Sequence, residues 1–180
     1  MDTVKLAPFV AAAGVVSHLS YFNRGEHHLR PWKFFQLFSL GCIGGTALLS
    51  YADNIPIPFA FAHAIVLAVS FLAGLYASTL IYRAFFHPLS KFPGPFGARL
   101  SSLYFSFQLK DGDAFKKVEK LHQQHGQFVR YGSSDLSITH PKAIPIIYGP
   151  GSKCRKAAWY DINVPMVSLQ TMRSKADHDK

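Results

Sequence analysis

The sequence predicts a mainly α-helical chain with one small β hairpin, in which N-terminal transmembrane helices precede a soluble-looking portion. Three observations predict it. Long apolar runs fill the chain before Arg83; a proline-dense break follows, at Pro88 and then Pro93-Gly94-Pro95; short helix-period and strand-period patterns come after it. Charge divides the chain at the same place. The first 82 residues carry four Lys or Arg and three Asp or Glu, and the other 98 carry fifteen and seven. We therefore read residues 1–82 as a membrane anchor with two or three transmembrane helices, 83–100 as a proline-rich hinge and 101–180 as the start of a folded domain.

Three stretches compete for the membrane. Leu6 to Phe22 is interrupted by Pro8 and His18 and is the weakest. Phe34 to Ser50 would reach about 26 Å as a helix, slightly short of the hydrocarbon core. Phe59 to Tyr82 would reach about 36 Å and carries no Lys, Arg, Asp or Glu; no polar face marks it as a buried helix of a soluble protein. A cleaved signal peptide is disfavoured because two further apolar segments follow the first. The loop from Asn23 to Lys33 holds Arg24, Arg30 and Lys33, the loop from Tyr51 to Pro56 holds no Lys or Arg, and Arg83, Lys91 and Arg99 follow the third stretch. That alternation predicts a lumenal N-terminus and a cytoplasmic C-terminal portion. His27 and His28 are sequence neighbours without a third ligand nearby, so they read as headgroup-level polar residues rather than a metal site.

The net charge of +9 lies mostly beyond Arg83, mixed with acids and aromatics. It points to a bilayer surface and argues against nucleic acid. Cys42 and Cys154 form neither a disulfide framework nor a zinc pattern.

Each proline of the break removes an amide donor and pushes the residue before it (His87, Phe92, Gly94) out of the helical region. The expectation is a stiff, extended connector, with Tyr82, Arg83, Phe85 and Phe86 as an interfacial collar. Beyond it, Asp113 is placed to cap a helix with Phe115, Val118 and Leu121 on one face and Gly126 as its stop; Asp113 and Lys117 have ion-pair spacing. Phe128 to Tyr131 and Leu136 to Thr139 read as strands joined by a turn at Gly132 to Asp135. Pro141 opens a short helix through Tyr148, which Pro145 weakens. His122 and His125 lie on one helix without carboxylate or thiol companions and read as solvated or packed.

These residues in this order resemble the N-terminal part of membrane-bound fungal cytochrome P-450 monooxygenases. The likeness runs through FFHPLSKFPGP (Phe85 to Pro95), the stretch from Leu121 to Gly149, and GSKCRKAAWY (Gly151 to Tyr160). The resemblance implies an endoplasmic-reticulum anchor, a hinge at Pro88, Pro93, Gly94 and Pro95, and then the first helix, first hairpin and second helix of an incomplete P-450 fold. It also implies that Gly151 to Ser168 falls in a loop lining the substrate pocket, and that His178 approaches a haem propionate. The family inserts one oxygen of dioxygen into lipophilic, secondary-metabolite-type substrates, with electrons from a reductase and a cysteine thiolate on haem iron.

Its cysteine motif, FxxGxRxCxG, is absent here. Around Cys154 the motif's glycine is Pro150, its arginine Ser152 and its second glycine Lys156. The acid-alcohol pair and the ExxR pair are missing as well, so no catalytic residue is assigned and no haem is expected to stay bound to these 180 residues alone. The expected partners are the bilayer, a reductase and the remaining C-terminal body. A non-catalytic, membrane-anchored remnant that binds membranes or partner proteins is the alternative. A transporter is disfavoured because internal repeats are absent and His63 is the only ionisable residue of its type in the third stretch.

Overall fold

The computed structural model describes residues 3–25, 27, 29–108, 112–157, 160–161, 165–166, 168 and 170–173. The described residues are mainly helical with one two-stranded antiparallel sheet. The chain gathers into two compact units, Met1–Thr79 with Arg155–Lys180, and Leu80–Cys154.

In the first unit, helix α1 (Thr3–Ser17) passes into a π-helical turn, His18–Phe22. Helix α2 covers Pro31–Asp53, and α3 covers Ile57–Ile81 before a second π-helical turn, Tyr82–Phe86. The continuous helical runs of 20, 23 and 30 residues are each long and apolar enough to cross a membrane. Pro8 does not interrupt α1. It lies near the helix start, where its missing N–H forfeits one bond, to the Val4 carbonyl. His18 widens the helix rather than ending it. Its ring is buried and its Nδ1 lies 2.8 Å from Ser78 Oγ on α3, which gives a polar side chain a partner among apolar helices.

Glycines set how closely α1 and α3 approach. A Cβ at Gly74 would collide with the Ala11 carbonyl, and one at Gly14 with the Phe71 carbonyl, so the two backbones touch directly. Helices α2 and α3 pack through buried Leu49, Ala60 and Ala64, with Ile55 against them. Asn54 ends α2 in the left-handed conformation (φ 51°), and Ser50 Oγ donates to the Ile55 carbonyl at 2.9 Å across the turn. In the loop between α1 and α2, the His27 ring stacks on Tyr21 with centroids 4.4 Å apart, and its Nε2–H donates to the Arg24 carbonyl at 2.6 Å. His27 thus ties a turn. His28 lies outside the described residues.

The second unit is built on β1 (Phe128–Arg130) and β2 (Leu136–Ile138), with Val129 opposite Ser137. Before them come α4 (Phe96–Leu100), α5 (Leu103–Gln108) and α6 (Ala114–His125); α7 (Ala143–Tyr148) follows. The helix expected after Asp113 is α6, and Gly126 stops it with φ 89°. Asp113 occupies the cap position but makes no capping hydrogen bond. Its carboxylate pairs with Lys117 at 2.8 Å, and that bond holds its pKa below the usual carboxylate value. The helix expected from Pro141 begins at Ala143, so Pro145 falls in the first turn, where no donor is needed.

Replacing Gly74 with Leu should separate α1 from α3 and cost about 1–3 kcal/mol. The expected readout is a lower unfolding midpoint in mixed micelles. Gly41→Leu on α2, where a Cβ has nothing within 4 Å, should not lower it.

Candidate functional site

The proline-dense break is more folded than a connector. His87 leaves the helical region (φ −66°, ψ 142°), and its Nδ1 accepts the Leu89 N–H at 3.1 Å. That caps a 3-10 turn, Pro88–Lys91; only the stretch from Phe92 to Pro95 runs extended before α4 begins. The extended piece is pinned. The Pro93 carbonyl accepts the Arg130 N–H at 2.8 Å, and Gly94, with φ 153°, passes so close to the Arg130 carbonyl that any Cβ would collide with it. The four expected hinge residues therefore sit in a junction that is tied to β1 at Pro93 and Gly94.

Arg130 is the centre of that junction. It is fully buried, at 0% exposure. Its Nε donates to the Gly132 carbonyl at 3.3 Å and Nη1 to the Arg83 carbonyl at 3.1 Å; Nη2 donates to the carbonyls of Ser133 at 2.6 Å and Arg99 at 3.4 Å. One guanidinium thus joins the end of the third apolar run, the end of α4 and the hairpin turn. Carbonyl dipoles take the place of a carboxylate, and the planar fork reaches several of them at once. Burial, then the charges of Arg99 and Arg83, lower its pKa from the ordinary arginine value.

A second layer fixes the turn. Ser102 Oγ donates to Asp135 Oδ2 at 3.1 Å and accepts the Ser133 N–H at 3.3 Å. A Cβ at Gly132 would strike the Asp135 carboxylate. His122 joins α6 to β2: its Nδ1–H donates to the Gly126 carbonyl at 2.8 Å, which leaves Nε2 to accept the Ser137 hydroxyl at 2.8 Å. A groove of about 530 Å³ lined by Phe105, Phe115, Val118, His122, Ser137 and Thr139 opens beside this pair. A backbone carbonyl, not a carboxylate, orients the His122 ring, so the pair reads as a packing contact rather than a nucleophile and its base.

Cofactor chemistry has little to rest on among the described residues. Cys42 is half-buried within α2, and Cys154 is exposed, its N–H bonded to Ser152 Oγ at 3.1 Å. Neither cysteine lines the groove just described. The described residues do not fit a thiolate-ligated haem, and they gather no group of three His, Cys, Asp or Glu side chains suited to a metal ion. His178 lies outside the described residues. Sequence reasoning missed Arg130 and the Ser102–Asp135 link. The available signal was an arginine inside a short apolar strand, next to a Gly-Ser-Ser-Asp turn.

Comparison with known proteins places these features in context. The chain is 45% identical to a cytochrome P-450 monooxygenase, notG', of Aspergillus versicolor, over 95% of this chain and 31% of that protein. It is 42% identical to tryprostatin B 6-hydroxylase of Aspergillus fumigatus, over 100% of this chain and 34% of the relative. Cytochrome P-450 monooxygenase lcsK of Purpureocillium lilacinum is 41% identical, over 93% and 31%. The chain spans about a third of the length of the curated relatives it matches. No family model matches, and no solved structure does.

Arg130→Met would leave four carbonyls unpaired, at about 1–3 kcal/mol for each that stays buried. The expected outcome is loss of hydrogen-exchange protection in both strands, with Arg130→Lys intermediate because it lacks the fork. Acid should weaken the same junction. Burial, then Arg130 and Arg83, lower the His87 pKa, so the folded state binds fewer protons than the unfolded one. Its stabilising contribution is complete above about pH 6.5 and is lost as pH falls through the lower, folded-state value. Protease resistance of the second unit should drop over that window, and His87→Asn, which can cap without titrating, should flatten the drop.

Proposed function

We propose, for a chain whose sequence belongs to the fungal cytochrome P-450 family, that it forms the membrane anchor and opening elements of a haem-thiolate monooxygenase. Residues 1–82 are the anchor, 83–100 the junction and 101–180 the beginning of the catalytic fold. The observation that carries this reading is that relatives named as monooxygenases match nearly the whole chain, apolar helices included. The complete protein would lie in the endoplasmic-reticulum membrane, with the residues beyond Arg83 on the cytoplasmic side. It would take electrons from a reductase and oxidise a lipophilic secondary-metabolite substrate.

The haem, when bound, supplies the activation of dioxygen. Its thiolate ligand would come from residues other than these 180, and His178 would at most touch a propionate. The described residues contribute mechanical order: Arg130 fastens the end of the third span to the first hairpin.

The test is to read the transcript beyond the codon for Lys180 and record the carbon monoxide difference spectrum of microsomes expressing it. A continuing frame with a thiolate-haem spectrum is expected. A stop directly after Lys180, with no haem uptake by the expressed protein, would overturn the catalytic reading.

A further inference from the structure

We propose that the junction holds the phosphate group of an anionic membrane lipid between the side chains of Arg83 and Arg99. The inference rests on the reading that α3 spans the bilayer and adds a specific ligand to it.

Three arginines meet in one hydrogen-bonding neighbourhood. Arg130 donates to the backbone carbonyls of both Arg83 and Arg99, and Arg83 Nη1 donates to the carbonyl of Leu100, next to Arg99. No ion pair to any of the three occurs among the described residues. Two acids of this unit are engaged elsewhere, Asp113 with Lys117 and Asp135 with the Ser102 hydroxyl. Among the described residues, positive charge is thus concentrated without an ion-paired carboxylate, and Arg99 and Arg83 add to burial in lowering the Arg130 pKa.

Arg130 spends four of its donors on carbonyls, and its neighbours spend far fewer. A guanidinium carries five N–H donors. Arg83 places one, on Leu100. Arg99 makes a single long contact, Nη2 to the Phe92 carbonyl at 3.5 Å, which leaves the rest of its Nη fork for an outside ligand; its Nε, enclosed by protein, does not count toward that. Two half-buried forks with unspent donors and no carboxylate suit a group with several anionic oxygens, and phosphate is the best match. Position names the source. Arg83 lies in the last turn of the third apolar run, beside exposed Phe85 and Phe86, where lipid headgroups meet a spanning helix.

The experiment compares spin-labelled phosphatidylserine with spin-labelled phosphatidylcholine at the full chain, reconstituted in phosphatidylcholine with about one part in five phosphatidylserine. A preference for phosphatidylserine that weakens with added salt is expected from the unmodified protein. Arg83→Gln and Arg99→Gln should each lower it roughly fivefold, and the lysine variants less. Arg24→Gln with Lys33→Gln, in the other basic loop, should leave most of it.

No preference in the unmodified chain would overturn the proposal, whatever the variants do. So would full retention in the Arg83→Gln, Arg99→Gln double variant, or its loss in the Arg24, Lys33 variant. Abolition by millimolar-range inorganic phosphate at constant ionic strength would reassign the site from a lipid headgroup to a free anion. Resistance to carbonate extraction is scored in parallel. A chain that resists extraction but shows no preference fails on the site alone; a chain that is extracted fails on the membrane reading.

Discussion

A charged guanidinium with no carboxylate partner among the described residues organises the second unit. Removing such a group from water costs several kcal/mol, and here backbone dipoles offset that cost. The geometry is demanding, because carbonyls from Arg83, Arg99, Gly132 and Ser133 must converge on one plane. Those carbonyls belong to segments far apart in sequence, so none can relax independently. The folded break at Pro88 to Pro95, the direction of α4 and the tight hairpin turn are all conditions for that convergence. The adjacent backbone bond from Arg130 N–H to the Pro93 carbonyl adds a second tie on the same residue. A two-stranded sheet of three residues per strand is marginal by itself, and this cross-linking supplies order that its short ladder cannot.

The first unit solves a different problem. Among apolar helices in lipid there is little hydrophobic gain from association, so contact must come from close backbone approach and a few polar links. The Gly14 and Gly74 crossing supplies the first, and His18 with Ser78 supplies the second. Large side chains such as Phe9, Leu40 and Phe59 remain outward, which is unfavourable in water and neutral in a hydrocarbon environment. The two units thus depend on opposite inventories, small residues in one and convergent polar groups in the other.

Much of this was legible from residue order. Apolar runs of helical length, a glycine stop at Gly126 and alternation at Leu136 to Ile138 are local signals, and each corresponds to an observed element. Less legible features depended on groups distant in sequence. Asp113 has the right identity and position for a cap, yet Lys117, one turn on, captures its carboxylate. Prolines forecast an extended path, but the His87 ring caps its first half into a turn, and the Arg130 backbone pins the half that stays extended. Arg130 carried only a faint local signal, an arginine inside a short apolar strand, because two of its acceptors, the Arg83 and Arg99 carbonyls, lie far away in sequence. Local pattern specifies elements, whereas a buried charge is specified by everything that surrounds it.

The π-helical turns have a consequence of another kind. At Asn23 and His87 the backbone N–H reaches back five residues, to His18 and Tyr82, with both bonds at 2.8 Å. Each turn is an α-helix holding one surplus residue, which rotates whatever follows by about 100°. Removal of one residue there can be absorbed by reversion to ordinary helix, while the same deletion mid-helix would misalign an entire packing face. Both surplus positions fall where a long apolar helix gives way to a loop or junction. Single-residue length variation between related chains therefore has two natural reservoirs, Leu19 to Phe22 and Arg83 to Phe86.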